Sequence, residues 1–264
     1  MRRLRGALLA AALALPAGLA AAQPAGGGAA ACPAIPSRTP PPKEAVPTNL
    51  DEAQWRARVA EIGRTTAGDL SRVQVAFLGD SLTQGWFPQI FDQFYGGRAT
   101  LNLGVWGDFT QGLLWRITQG GHWPASLRPR VAVLLIGTNN AGFTDRPEDT
   151  ALGIAEIVRA IRARSPTTRV VLVGLLPRGA EASDPARGMN IRVNALIAAC
   201  ADNRTVFYVN PGAMLVDSAG RMSEHMSYDR LHLTMVGYAI LAAGLEPTMR
   251  ALLGEPTTVS TTGR

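Results

Sequence analysis

Val73-Gln-Val-Ala-Phe-Leu-Gly-Asp-Ser-Leu-Thr-Gln84 changes its period part-way along. Val73 to Leu78 is a short, mostly apolar run that stops at Gly79, the pattern of a strand buried on both faces. Beyond Ser81 the apolar spacing is helical over 82–95. A buried strand that runs into a helix is the first half of a βαβ unit. The same alternation continues downstream. Thr100–Leu103, Val131–Ile136, Val170–Leu175 and Val206–Val209 are further short apolar runs. Helical spacing covers 51–66, 110–118, 148–164, 187–201 and 235–252. Strands separated by helices join by right-handed crossovers into a parallel sheet covered on both faces. The expected fold class is therefore α/β, a three-layer α/β/α sandwich around a roughly five-stranded parallel sheet.

The chain has 264 residues, 47% of them hydrophobic and 17% charged, enough to bury one sizeable core. That composition excludes disorder, collagen and coiled coil as readings of the whole chain. No apolar stretch in the body approaches the roughly 20 residues of a membrane span. Met1-Arg-Arg-Leu-Arg5 is a positively charged start, Ala7 to Ala22 is apolar, and Ala20-Ala21-Ala22 offers a small-residue cleavage site. Residues 1–22 read as a signal peptide, which directs the mature chain to the periplasm or outside the cell. A lipid anchor at Cys32 is the weaker reading, because Cys32 lies well beyond the apolar run. Losing Arg2, Arg3 and Arg5 from 26 basic residues leaves 23 against 20 acidic, a net charge of +3. The remaining arginines are scattered without interleaved aromatics, so no nucleic-acid groove is expected.

Residues 23–49, with Pro33, Pro36, Pro40-Pro41-Pro42 and Pro47, read as a linker unable to bury a core of its own. The domain then spans 50–253 and a polar tail 254–264. Cys32 and Cys200 are the two cysteines. Export makes a disulfide between them chemically open, whereas the Ala-rich helical setting of Cys200 reads as a small buried residue. The sequence does not decide between these.

In doubly wound sheets ligands meet the carboxyl ends of the strands. Just past the first run stands Gly79-Asp80-Ser81, past the second Gly104-Val-Trp-Gly107-Asp108, past the third Gly137-Thr-Asn139-Asn140. Asp229-Arg-Leu-His232 precedes the last helix. Each has a structural explanation when taken singly. Ser81 with Gln84 matches a capping box, Asp108 with Gln111 another, Asn139-Asn140 a turn, and Thr234 a helix cap beside a half-buried His232. Together they supply what acyl transfer needs: a nucleophile, a base, a group that orients the base, and donors for the developing oxyanion. Ser81 is then the nucleophile, His232 the base, and Asp229 the carboxylate that fixes its tautomer. The Ser81 and Gly107 amides and the Asn139 side chain would hold the oxyanion.

Rival chemistries lack their residues. Thr83 stands where a Gly-x-Ser-x-Gly elbow needs glycine, and Gln84 where a β-lactamase-type pair needs lysine. His122, His225 and His232 have no metal-ligand spacing, so no metal is expected. No glycine pattern for a phosphate or dinucleotide follows any strand, and no cofactor is expected. His225 is the one competing base, and it has no carboxylate three residues before it.

At Gly79-Asp80-Ser81, Gly107 before Asp108, Gly137-Thr-Asn139 and Asp229-x-x-His232 the chain resembles the SGNH, or GDSL-type, hydrolases. More narrowly, Phe77–Ser81, Leu113-Leu-Trp-Arg116, Leu135–Asn140, Gly174–Gly179 and Asp229–Thr234 resemble the catalytic subunits of intracellular platelet-activating-factor acetylhydrolase and their bacterial relatives. The resemblance covers roughly residues 70–252. It implies a flavodoxin-like sheet, a metal-free serine esterase, Gly107 as the oxyanion glycine, and a homodimer such as those subunits form. It also places Leu82, Thr138 and Leu231 at the acyl pocket, where bulk favours acetyl; the alternative is that Leu82 and Leu231 simply pack under the loops. Two departures are Trp106, where those subunits have glycine, and the export signal; an indole there either narrows the acyl pocket or forms one wall for substrate. The resulting expectation is an exported serine esterase removing short acyl groups, acetyl first, from a carbohydrate or lipid-derived alcohol. A longer-chain lipase, lysophospholipase or thioesterase, and a catalytically silent envelope protein binding glycans, are the alternatives.

Overall fold

The computed structural model describes residues 31–256, so the signal-peptide reading and the end of the polar tail lie outside the described residues. Five strands form one parallel sheet: β1 (Val75–Gly79), β2 (Thr100–Gly104), β3 (Val131–Leu135), β4 (Arg169–Val173) and β5 (Val206–Val209). Their order is β2-β1-β3-β4-β5. In register, Gly79 at the end of β1 lies between Gly104 of β2 and Leu135 of β3. β1 and β3 are buried along their whole length, as continuous Val, Ala, Leu and Phe runs require of central parallel strands.

The chain leaves β1 toward β2 and then returns past β1 to β3, so the strand order reverses at β1/β3. That is the place where a crevice opens beyond the carboxyl ends. The connecting helices are α1 (Ala53–Thr66), α2 (Ser81–Gln84), α3 (Pro88–Tyr95), α4 (Thr110–Thr118), α5 (Thr138–Gly142), α6 (Pro147–Arg164), α7 (Pro185–Ile197) and α8 (Met235–Leu253). α6 packs between α4 and α7 on one side of the sheet, and α8 packs against α3, β3, β4 and β5.

The helix expected over 82–95 is two helices. Pro88 starts α3 at its first turn, and Phe87 before it is extended (φ −64°, ψ 126°), as a residue preceding proline prefers. Trp86 fills the break, buried, with its ring 4.7 Å from that of Tyr238. Tyr238 also donates its hydroxyl to the Leu82 carbonyl at 3.0 Å, which anchors α2 to α8.

The Pro-rich segment is not a linker from Ala31 onward. It is a strap laid along α6. Cys32 is buried and disulfide-bonded to Cys200, so Cys200 is half of a cross-link rather than only a small apolar filler. Arg159 of α6 donates to the carbonyls of Ala31, Cys32 and Ile35. Arg38 pairs with Asp149, and Lys43 with Asp145 at 2.6 Å. Gly153 explains the close approach: a Cβ there would sit 2.4 Å from the Glu44 carbonyl oxygen. Low local hydrophobicity misled the sequence reading, because the strap is held by long-range polar contacts and one covalent bond.

Candidate active site

Ser81 is the first residue of α2, directly beyond β1, and is buried to 3% exposure. It does not cap its helix. Asp80 does, accepting from the Leu82 N–H at 2.9 Å, which leaves the Ser81 hydroxyl for other work. Ser81 Oγ lies 3.0 Å from His232 Nε2. His232 Nδ1 lies 2.6 Å from Asp229 Oδ2. The other Asp229 oxygen accepts from the Leu231 and His232 N–H groups at 3.0 and 2.6 Å. One carboxylate thus folds the tight turn and orients the ring that the turn carries.

Arg230 takes the left-handed conformation this turn needs (φ 66°), and its carbonyl accepts from the Gly179 N–H. Burial pushes the Asp229 carboxyl up, but hydrogen bonds from the His232 ring and from two backbone N–H groups outweigh it. The group titrates below the ordinary carboxylate range. Beneath the turn, buried Ser227 donates to the His232 carbonyl at 2.7 Å. Thr234 caps α8 as expected, accepting from Gly237 N–H.

Gly107 has a positive φ of 71°, and apart from its two neighbours in the chain no residue comes within 4 Å of the place where a Cβ would stand. Asn139 Nδ2 donates to the Asp108 carbonyl at 2.8 Å. An amide nitrogen carries two hydrogens, so this bond fixes the Asn139 side chain and leaves the second for a ligand. Ser81, at the start of α2, has an N–H outside the helical ladder. Asp108 is no helix cap. It is fully buried, paired with Arg116 at 2.7 Å and bonded to the indole N–H of Trp55 at 2.8 Å. Arg116, also fully buried, donates onward to the carbonyls of Leu103 and Gly79. Burial pushes the Asp108 carboxyl up against the pull of Arg116.

Trp106 stacks on His232, ring centres 4.4 Å apart and planes within 17°. Tyr228 lies nearly parallel to the same imidazole at 5.9 Å. Leu231 is half-buried beside them. Leu82 and Thr138, the other two residues expected at the acyl pocket, are both buried to 1% exposure. Leu82 belongs to the apolar core, and the Thr138 carbonyl accepts from Arg178 at 2.8 Å. His225 is exposed and meets the site loop through its carbonyl, bonded by Thr234. His122 is buried away from Ser81, with its pKa pushed down to about 4 by burial and by Arg116. No cluster of three or more His, Cys, Asp or Glu side chains suited to a metal occurs among the described residues. None of the described helices is long and apolar enough to cross a membrane.

The structure therefore brings Ser81, His232 and Asp229 into one chain of hydrogen bonds, with Gly107 on the loop after β2 and Asn139 on α5 after β3. Sequence reasoning gave no site role to Arg116, Trp55, Tyr228, Asn140 or Asp145, although Arg116 and Asn140 stand in stretches it quoted. For Arg116 a signal existed: an arginine between Leu113 and Ile117 on the buried stripe of α4.

The model of the GDSL-like lipase/acylhydrolase family matches residues 77–240, a span that holds every one of these side chains but Trp55. The chain belongs to this family. Among curated GDSL relatives, the platelet-activating factor acetylhydrolase IB subunit alpha1 of Bos taurus is 35% identical over 211 residues, 78% of this chain and 89% of its own. The alpha2 subunit of Homo sapiens is 36% identical over 183 residues, 69% and 78% of the two chains. Solved structures share the fold. A GDSL-like lipase from Bacteroides thetaiotaomicron superposes with a TM-score of 0.60 at 22% identity, covering 75% of this chain and 98% of that one. An acetylxylan esterase from Geobacillus stearothermophilus gives 0.54 at 15% identity, covering 72% and 98%. This GDSL acylhydrolase is thus a serine ester hydrolase with the α/β fold of its relatives.

Proposed function

We propose that the protein is an exported esterase that removes short acyl groups, acetyl first, from a carbohydrate or lipid-derived alcohol through an acyl-enzyme on Ser81. The observation that carries this reading is the pair of hydrogen bonds from Ser81 Oγ to His232 Nε2 and from His232 Nδ1 to Asp229. Ser81 Oγ attacks the ester carbonyl as His232 Nε2 takes its proton, and Asp229 stabilises the imidazolium that results. The N–H groups of Ser81 and Gly107 and the free Asn139 N–H receive the negative charge on the former carbonyl oxygen. Collapse breaks the C–O bond, and the alcohol leaves with the proton from His232. Water then repeats the sequence on the acyl-enzyme, releasing the acid and restoring Ser81.

Two observations support a short acyl group. Leu82 and Thr138, the two residues expected at the acyl pocket that lie nearest the strand ends in sequence, are each buried to 1% exposure, leaving little of their surface to line a long channel. The curated relatives carry acetylhydrolase in their names, and one structural neighbour is an acetylxylan esterase. The Cys32–Cys200 disulfide and the amino-terminal sequence support export, because such bonds persist in oxidising compartments.

The test is hydrolysis of p-nitrophenyl acetate, butyrate and octanoate by the mature protein and by Ser81→Ala. Activity strongest on acetate and lost by several orders of magnitude in the variant is expected. Octanoate turning over faster than acetate overturns the short-chain reading. Activity that survives Ser81→Ala overturns the nucleophile.

A further inference from the structure

Two buried carboxylates face one cation beside the oxyanion loops. The side chains of Glu44 and Asp145 are 4% and 7% exposed. Lys43 Nζ stands 2.6 Å from Asp145 Oδ1 and 3.6 Å from Glu44 Oε1. A further acid that acts on Glu44, Asp149, is paired with Arg38. The second Asp145 oxygen accepts from Asn140 Nδ2 at 3.1 Å. Asn140 is fully buried, and its own oxygen accepts from the Thr110 N–H at 3.1 Å.

Asn140 thereby ties the start of α4 to α5, two residues beyond Asp108 and one beyond Asn139. Asn140 Nδ2 also donates to Gln111 Oε1 at 3.2 Å, and the Asn139–Asp108 bond ties the same two segments again. The strap closes the arrangement, because Thr110 Oγ1 donates to the Glu44 carbonyl at 2.9 Å. The Lys43 side chain, 68% exposed, is thus brought to Asp145 by the anchored backbone of its neighbour Glu44.

We propose that Lys43 is a positioning residue for the oxyanion donors Gly107 and Asn139, acting through Asp145 and Asn140. The role rests on the reading of Ser81 as nucleophile. Its physical basis is charge. Buried carboxylates repel when no cation stands between them, and an unpaired one turns toward water or takes a proton. Burial already pushes the Glu44 carboxyl up, and neighbouring Asp145 pushes the same way. The Asp145 carboxylate in turn holds the Lys43 ammonium above its ordinary range. Without Lys43, Asp145 loosens its hold on Asn140, and with it the bonds that Asn140 makes to Thr110 and Gln111 at the start of α4. Donors misplaced by a fraction of an ångström stabilise the oxyanion less while ground-state binding stays unchanged.

The experiment measures kcat and KM for p-nitrophenyl acetate in the full mature chain, with Ser81→Ala as control and thermal melting of every variant. Lys43→Met is expected to lower kcat about tenfold with KM within twofold. Lys43→Arg restores kcat to within about threefold. Lys43→Met/Asp145→Asn also recovers, because a neutral amide still accepts from Asn140 and no longer repels the Glu44 carboxylate. Asn140→Ala loses at least as much kcat as Lys43→Met. A Lys43→Met enzyme with unchanged kcat, a loss confined to KM, or a double variant no better than the single one overturns the positioning role while Ser81→Ala stays inactive. Activity in Ser81→Ala instead overturns the site reading itself, and the positioning role with it.

Discussion

Asp80 stands next to Ser81 and carries a strongly perturbed carboxyl. It is fully buried, one of its oxygens caps α2, and the other has no partner among the described residues. Burial raises its pKa to about 7, and the Asp108 charge pushes in the same direction. In the unfolded chain the group loses its proton near pH 4. Between those values the folded protein therefore holds a proton that the unfolded chain has released, so this group's contribution to stability falls as pH rises from about 4 to about 7. Asp80→Asn keeps the cap and removes the ionisation. Its stability relative to wild type is expected to improve by about 2–4 kcal/mol across that window, read from urea unfolding at pH 4.5, 6 and 7.5. Parallel curves for the two proteins would show that Asp80 does not titrate there. Asp229 has the opposite sign and a different role. Asp229→Asn leaves the turn's backbone hydrogen bonds an acceptor but presents the wrong partner to His232 Nδ1. A kcat lower by about 10⁴-fold on p-nitrophenyl acetate is expected, and a loss below tenfold would remove Asp229 from the mechanism.

At the scale of elements, the site is a meeting of strand ends held by a buried ion pair. Arg116 of α4 reaches the carbonyls ending β1 and β2 and the Asp108 carboxylate together. Arg116→Met fills much of the same volume but leaves Asp108 buried without its cation, which costs about 3–5 kcal/mol. Equilibrium urea unfolding measures this; a loss under 1 kcal/mol would mean that Trp55 and the Phe109 N–H satisfy Asp108 alone. This pair also marks where the sequence stopped being readable. The strands were legible because a buried parallel strand must be continuously apolar, and the helices because their stripes must face it. Ser81, Gly107, Asn139, Asp229 and His232 were legible because the fold dictates which residues to read, those just past each strand and before the last helix. Arg116, Trp55, Asn140 and Asp145 act through polar contacts between residues distant in sequence, and such contacts leave no period. The split between α2 and α3 was written in Pro88, yet the apolar spacing on both sides concealed it.

Across the whole molecule, the strap is the one part whose attachment is chemical as well as physical. The Cys32–Cys200 bond links positions 168 residues apart, the kind of cross-link that most restricts the unfolded chain. Its removal is expected to cost about 2–4 kcal/mol, which for a domain of this size lowers the melting temperature by about 5–15 °C. Scanning calorimetry of the oxidised protein, the dithiothreitol-treated protein and Cys32→Ser/Cys200→Ser measures it. The two reduced forms should agree, since both keep the Arg159, Arg38 and Lys43 contacts to α6 and its amino-terminal approach. Unchanged melting would mean that those polar contacts alone hold the strap. A drop of the expected size has a consequence for the site, because the strap carries Lys43 and Glu44 to the oxyanion loops. Esterase activity would then fail below global unfolding in the reduced protein but together with it in the oxidised one, as the strap melts first once its covalent end is released.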